Sequence, residues 1–226
     1  MEVNNENIYN IITVISTIVT TLSTIITAII ATIALFQSGK QIKLDNKQHL
    51  FDKRVDNYII AKGLIELYRN NQLSIEEDKK DEPYFISNIM FIWLTNNSYL
   101  ESISSVIDKP LENPKHKEFL TKIEELKNVS VKIKFLFNSS ISEKIGKFIL
   151  NYQELLSSLY KYQIVLNTMK EVSEKSRMTL EEAMKNVKEE NYRESLYASF
   201  KELKEAYKEI EKYGIQEKLE KEINLL

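Results

Sequence analysis

Residues 11–36 read IITVISTIVTTLSTIITAIIATIALF, without a single charged position. The uncharged stretch is longer still, since nothing between Glu6 and Lys40 carries a charge. A helix rising about 1.5 Å per residue makes 11–36 about 39 Å long, against a bilayer core of about 30 Å. The segment predicts a membrane-spanning helix over 8–39, long enough to cross with some tilt. A cleaved signal peptide fits less well. The first ten residues hold no Lys or Arg, the apolar run exceeds the usual core of such peptides, and no A-x-A site follows it. Glu2 and Glu6 precede the span, whereas Lys40, Lys43, Lys47, Lys53 and Arg54 follow it. Excess positive charge stays on the cytoplasmic side, so the C-terminal part is expected in the cytoplasm and the span in the cell's inner membrane.

Within this helix the small polar residues are sorted. Thr13, Thr17, Thr20, Thr24, Thr27, Ala31 and Ala34 step alternately by four and three, the spacing of a heptad a/d stripe with Thr13 at d and Thr17 at a. Ser16 and Ser23 fall at g and Thr21 at e, so only Thr32 lies on the opposite half, which is otherwise Ile, Val, Leu and Phe. A membrane-embedded threonine satisfies its hydroxyl on its own i−4 carbonyl. That explains why threonine is tolerated, but not why it is sorted. Close approach of small residues, with interhelical hydroxyl bonds of about 0.6 kcal/mol each, drives helix association in bilayers. The stripe therefore predicts a left-handed parallel homo-oligomer with these seven residues at its seam or lining a pore. Ile30 and Leu35 flank the stripe beside Ala31 and Ala34 and are the candidate gate.

Beyond Lys40 the chain reads as helix: an all-α fold with one N-terminal transmembrane helix and a cytoplasmic helical bundle. Its expected parts are an extracytoplasmic tail (1–7), the span (8–39), a juxtamembrane helix (40–71) and a helical domain (84–226). Leu44, Phe51, Val55, Tyr58 and Ile65 recur at helical spacing with no proline between, so the span is expected to run on, with Gly39 as a soft joint. The stretch 74–83 is acidic and reads as a surface loop. The stretch 84–107 contains the apolar run 89–94, too short for a second span and suited to a buried core helix. Pro110 and Pro114 bracket a turn, with Pro114 placed as the first residue of the next helix. Val129, Val131, Ile133 and Phe135 alternate as a strand would, but a lone strand has nothing to pair with, so the stretch is assigned helical or irregular. Ser140 with Glu143 predicts a capping box opening a helix to about Lys170. Thr179 with Glu182 predicts another, opening a helix to Tyr213 that Gly214 closes, before a last amphipathic helix over 215–226.

Composition excludes more chemistry than it suggests. With no cysteine there are no disulfides, zinc knuckles or thiol nucleophiles, and four glycines leave little room for phosphate-binding loops. The balance of 31 basic against 33 acidic residues argues against duplex nucleic acid as a partner. His49 and His116 stand apart from any E-x-x-H or H-E-x-x-H pattern, and both read as surface or packing residues. Glu181, Glu182, Glu189 and Glu190 neighbour lysines at helical spacing and read as solvated i,i+4 partners. No cofactor is expected, and the chain reads as a non-enzyme. Lysines interleaved with Tyr152, Tyr160, Tyr162, Tyr192, Tyr197, Tyr207 and Tyr213 offer stacking and phosphate contacts for an oligonucleotide. Half-buried tyrosines and solvated lysines account for the same pattern. Lys40, Lys43, Lys47, Lys53 and Arg54 are placed to touch anionic lipid, although setting topology explains them equally.

A single N-terminal span, the sequence LFQSGKQIKLDNKQHLFDKRVDNY and a helical domain without catalytic motifs resemble small bacterial membrane proteins of antiviral defence systems, Hailong-type membrane effectors among them. The likeness lies in the layout and in LFDKRVDNY, Leu50 to Tyr58. It implies an oligomeric effector that permeabilises the inner membrane in response to a nucleotide or oligonucleotide signal. No ligand residue carries over. The competing reading is a membrane-tethered adaptor whose helical domain binds another protein.

Overall fold

The computed structural model describes residues 2–75, 83–137 and 140–224. Their regular structure is entirely helical: α1 (Glu2–Ile75), α2 (Ser87–Thr95), α3 (His116–Leu136), α4 (Ser140–Ser176), α5 (Leu180–Val187), α6 (Glu189–Lys212) and α7 (Ile215–Asn224), with a 3₁₀ helix at Glu101–Ile107. The chain divides into two compact units, Met1–Leu50 and Phe51–Leu226. Of the acidic stretch 74–83, read from the sequence as a loop, Ser74 and Ile75 still belong to α1, and 76–82 lies outside the described residues.

The first unit is the N-terminal part of α1. The helix passes Gly39 without interruption. Its best 18-residue window has a mean hydropathy of 2.2 and none of it is buried in the chain. Among the described residues α1 is the one helix long and apolar enough to cross a membrane.

In the second unit α4 is the axis. It buries Ile145, Phe148, Tyr152, Leu155, Leu156, Leu159 and Tyr162, and is packed by α2, α3, α5, α6 and α7. The last turns of α1 contribute Ala61, Leu64, Ile65 and Tyr68, a stripe at i, i+3, i+4 and i+7, with the Tyr68 ring against Phe148 and Tyr207. Leu44 and Phe51, read from the sequence as part of an apolar face, are exposed. Each large apolar side chain buried this way contributes about 1.5–3 kcal/mol. Polar ties fix α1 as well. Arg54 Nε donates to the Leu136 carbonyl at 2.7 Å, closing the C-terminus of α3. Tyr58 and Lys62 donate to Glu220 on α7, and Arg69 donates to Tyr207 and Glu211 on α6. Where α3 crosses α4, Ser130 donates to the Gly146 carbonyl at 2.7 Å, and a Cβ at Gly146 would stand 3.0 Å from the Ser130 carbonyl oxygen. A larger residue there would push the two helices apart.

The alternating stretch 129–135, assigned helical or irregular, is helix: Val129 and Ile133 face inward one turn apart, while Val131 and Phe135 face out. Several other local expectations are corrected. The stretch 84–107 is not one helix. It breaks after Thr95, where the Asn97 side chain takes the N–H groups of Tyr99 and Leu100, and resumes as the 3₁₀ helix. Pro114 precedes α3 instead of opening it, because the Asn113 side chain accepts the Lys115 N–H and forms a turn first. Ser140 is the first residue of α4, and the helix runs on to Ser176. The Thr179–Glu182 capping box is complete. The helix it opens does not reach Tyr213, because Lys188 adopts a left-handed conformation (φ 54°, ψ 44°) and separates α5 from α6. Gly214, at φ 55°, follows the C-cap of α6 as expected, and α7 follows it.

Candidate membrane seam and buried polar cluster

Thr13, Thr17, Thr20, Thr24, Thr27, Ala31 and Ala34 all lie on α1 and are exposed in the single chain. Each of the five threonines donates its hydroxyl to the carbonyl four residues earlier, at 2.8–2.9 Å. Thr21 and Thr32 do the same. Since Thr32 sits on the opposite half and is satisfied identically, hydrogen bonding within the helix gives threonine no preference for either side. The sorting needs another cause. A hydroxyl that donates to its own backbone keeps acceptor capacity, and its shortness lets a second backbone come close.

Advancing roughly 100° per residue, the stripe from Thr13 to Ala34 stays within a sector of about 100°, the drift expected of a heptad pattern on a straight helix. Leu35 falls at one margin of that sector and Ile30 about 40° beyond the other, and they are 75% and 61% exposed. Fixed charge is absent from this face until Asp45, which takes a hydrogen bond from Gln41 at 3.1 Å. The inner surface of any bundle built on it would be hydroxyl and methyl.

The second unit holds a feature that the sequence reading missed. Glu189 is fully buried at the first turn of α6, where it accepts from the Tyr162 hydroxyl and pairs with Arg193 at 3.2 Å. The Tyr162 oxygen in turn accepts the Tyr84 N–H at 2.8 Å. Burial and the Glu189 carboxylate both push the Tyr162 phenol upward, so it stays a proton donor at neutral pH. This corrects the reading of Glu189 as a solvated partner; Glu181, Glu182 and Glu190 are exposed as expected. The left-handed Lys188 just before it turns the chain so that Glu189 enters the core. A pocket of about 390 Å³ opens beside the cluster, with Met184, Lys185, Lys188 and Asn191 among its lining. Its cations and carboxylates are balanced, so it selects no ligand charge.

The other candidates divide between core and surface. Tyr152, Tyr160, Tyr162 and Tyr207 are buried, Tyr197 is half-buried, and Tyr192 and Tyr213 are exposed, so the seven do not share a face for stacked bases. His116 meets the Tyr160 hydroxyl, which donates to the Pro110 carbonyl, and the two rings stack. His49 is exposed. Among the described residues no group of His, Cys, Asp and Glu is arranged to hold a metal ion. No protein-family model matches the chain, and neither curated proteins nor solved structures give a significant match.

Proposed function

We propose that this chain is a single-pass protein of the bacterial inner membrane, its helical domain in the cytoplasm, that assembles with copies of itself through the Thr13–Ala34 stripe. In that assembly it acts as a gated pore or membrane-disrupting effector in antiviral defence. The observation that carries the proposal is the sorting of hydroxyls on α1, which neither a plain anchor nor hydrogen bonding within the helix requires. The juxtamembrane resemblance supplies the defence setting and the kind of trigger, a nucleotide or oligonucleotide signal or a partner protein. Ile30 and Leu35 form the gate, narrowing the assembly into a dewetted constriction. A trigger opens it only by binding the open state more tightly than the closed one. The continuity of α1 offers the route, because Arg54, Tyr58, Lys62 and Arg69 tie the same helix to the bundle.

The test is Ala31→Asp. A carboxylate at the constriction wets it, so cells expressing the variant should depolarise and admit dye without any trigger. A variant that inserts and assembles normally, with membrane potential and dye exclusion unchanged, removes the pore. The tethered adaptor would then lead, and one observation favours it. Phe85, Ile89, Ile92 and Trp93 form an outward apolar face on and beside α2, Phe85 being 59% exposed, and 84–100 carries no charge. Faces of this kind mark protein contacts.

A further inference from the structure

The side of α1 opposite the threonines has its own continuation. Taking roughly 100° per residue, Ile18, Ile25, Ile29 and Phe36 fall within one sector of about 60°, and Lys40, Lys43 and Lys47 fall within the same sector. The helix is unbroken from one set to the other, so the register carries through. All three lysines are exposed, and none is within ion-pair reach of a carboxylate among the described residues. Asp45 lies on the other side, in the sector of the threonines, and is engaged by Gln41. The basic residues are therefore the direct extension of the face suited to lipid, and the acid belongs to the opposite face.

We infer that Lys40, Lys43 and Lys47 form a docking face for the headgroups of anionic phospholipids. The inference rests on the membrane reading of α1, and it holds whether or not the threonine face makes a seam. Charge complementarity and distance select this occupant. The three Cα positions lie roughly 6, 10 and 16 Å beyond Phe36 along the axis. The headgroup layer adds about 5–7 Å to each side of the hydrocarbon core. Lys40 and Lys43 reach it by extending their methylene stems along the apolar face with the ammonium group in the polar layer. The Lys47 Cα stands about 9–11 Å outside that layer, and its side chain, extended back along the helix, brings the ammonium group within a Debye length of about 8 Å at physiological salt. A role in topology alone would be met by basic residues placed anywhere around the helix; their confinement to the lipid side is what headgroup contact adds.

The test uses the full-length protein reconstituted in phosphatidylcholine vesicles, with trace spin-labelled phosphatidylglycerol or spin-labelled phosphatidylcholine as the probe. Electron paramagnetic resonance reads the fraction of each probe held at the protein surface. The expected result is severalfold enrichment of the phosphatidylglycerol probe, lost at high salt and lost in the K40Q/K43Q/K47Q variant, whereas K53Q, off the lysine face, retains it. Equal fractions for the two probes in the native protein, or enrichment that survives in the triple variant, overturn the inference while leaving the span intact. Absence of any immobilised lipid overturns the membrane reading of α1 and this inference with it.

Discussion

A buried carboxylate beside a buried guanidinium has consequences that surface pairs lack. Removing one partner leaves an uncompensated charge in the core, which costs about 3–5 kcal/mol, whereas replacing both with apolar residues of similar volume is often neutral. Glu189→Ala should therefore lower the unfolding free energy of the helical unit by about 3 kcal/mol or more. Glu189→Leu combined with Arg193→Met should restore most of it. Denaturant titration of the three proteins checks this, and a double variant no better than Glu189→Ala would show that the cluster's value lies outside the pair. The same residues show where single-residue reading from sequence ends. The Thr179–Glu182 box was legible because both halves of a capping box lie within one turn. Glu189 was not, since a Glu–Arg pair at i,i+4 looks the same solvated or buried. Only Tyr162 on α4, 27 positions earlier, gives it away.

At the scale of the element, α1 carries two messages in one period. Its N-terminal part was legible because length, absence of charge and sorted hydroxyls are local properties of the chain. Of the buried stripe Ala61, Leu64, Ile65 and Tyr68 only Ile65 was, because Leu44 and Phe51 look equally suited and only the position of α4 and α6 decides between them. The break at Lys188 was hidden for a similar reason: nothing in KNVKEENY signals a stop, and the left-handed residue follows from where Glu189 is taken. The seam can be tested on the element itself. If the chain assembles as proposed, the detergent-solubilised full-length protein is an oligomer that Thr17, Thr20 and Thr24 changed together to Leu should weaken or re-register, because bulk blocks close backbone approach. Ile18, Ile25 and Ile29 changed together to Leu keep the opposite face apolar and should leave it unaltered. Mass measurement of the solubilised particles separates the cases. If both triples behave alike, association does not run through the threonines.

For the whole molecule, the all-helical class and the single long apolar helix were legible, whereas the order of packing around α4 was not, because helix periodicity shows which face is apolar and never which neighbour covers it. Since Phe51–Leu226 has its own core, a fragment of those residues should be soluble and strongly helical, and its stability should depend on pH in a defined way. Hydrogen bonds from Lys144 to Glu209, from Arg69 to Glu211, and from Tyr58 and Lys62 to Glu220 hold those carboxyls below the usual glutamate range. A carboxyl depressed by folding adds stability above its unfolded value, about 4.3, and that contribution disappears as pH falls through the folded value. All three sit near solvent, so the acid limb should be shallow. The alkaline limb runs the other way and should be steeper. Burial raises Tyr152 well above the phenol range, raises Tyr162 with help from Glu189, and pushes Tyr99 up to about 12 with Glu125 adding to it. Phenols raised by folding contribute their full stability below the unfolded value of about 10 and lose it as pH climbs through the folded values. Thermal unfolding of the fragment followed by circular dichroism should thus be nearly level from about pH 5 to 9, fall gently below about 4.3, and fall sharply above about 10. A midpoint that holds steady well above pH 10 would mean that Tyr152 and Tyr162 ionise without unfolding, which a core closed around α4 does not permit.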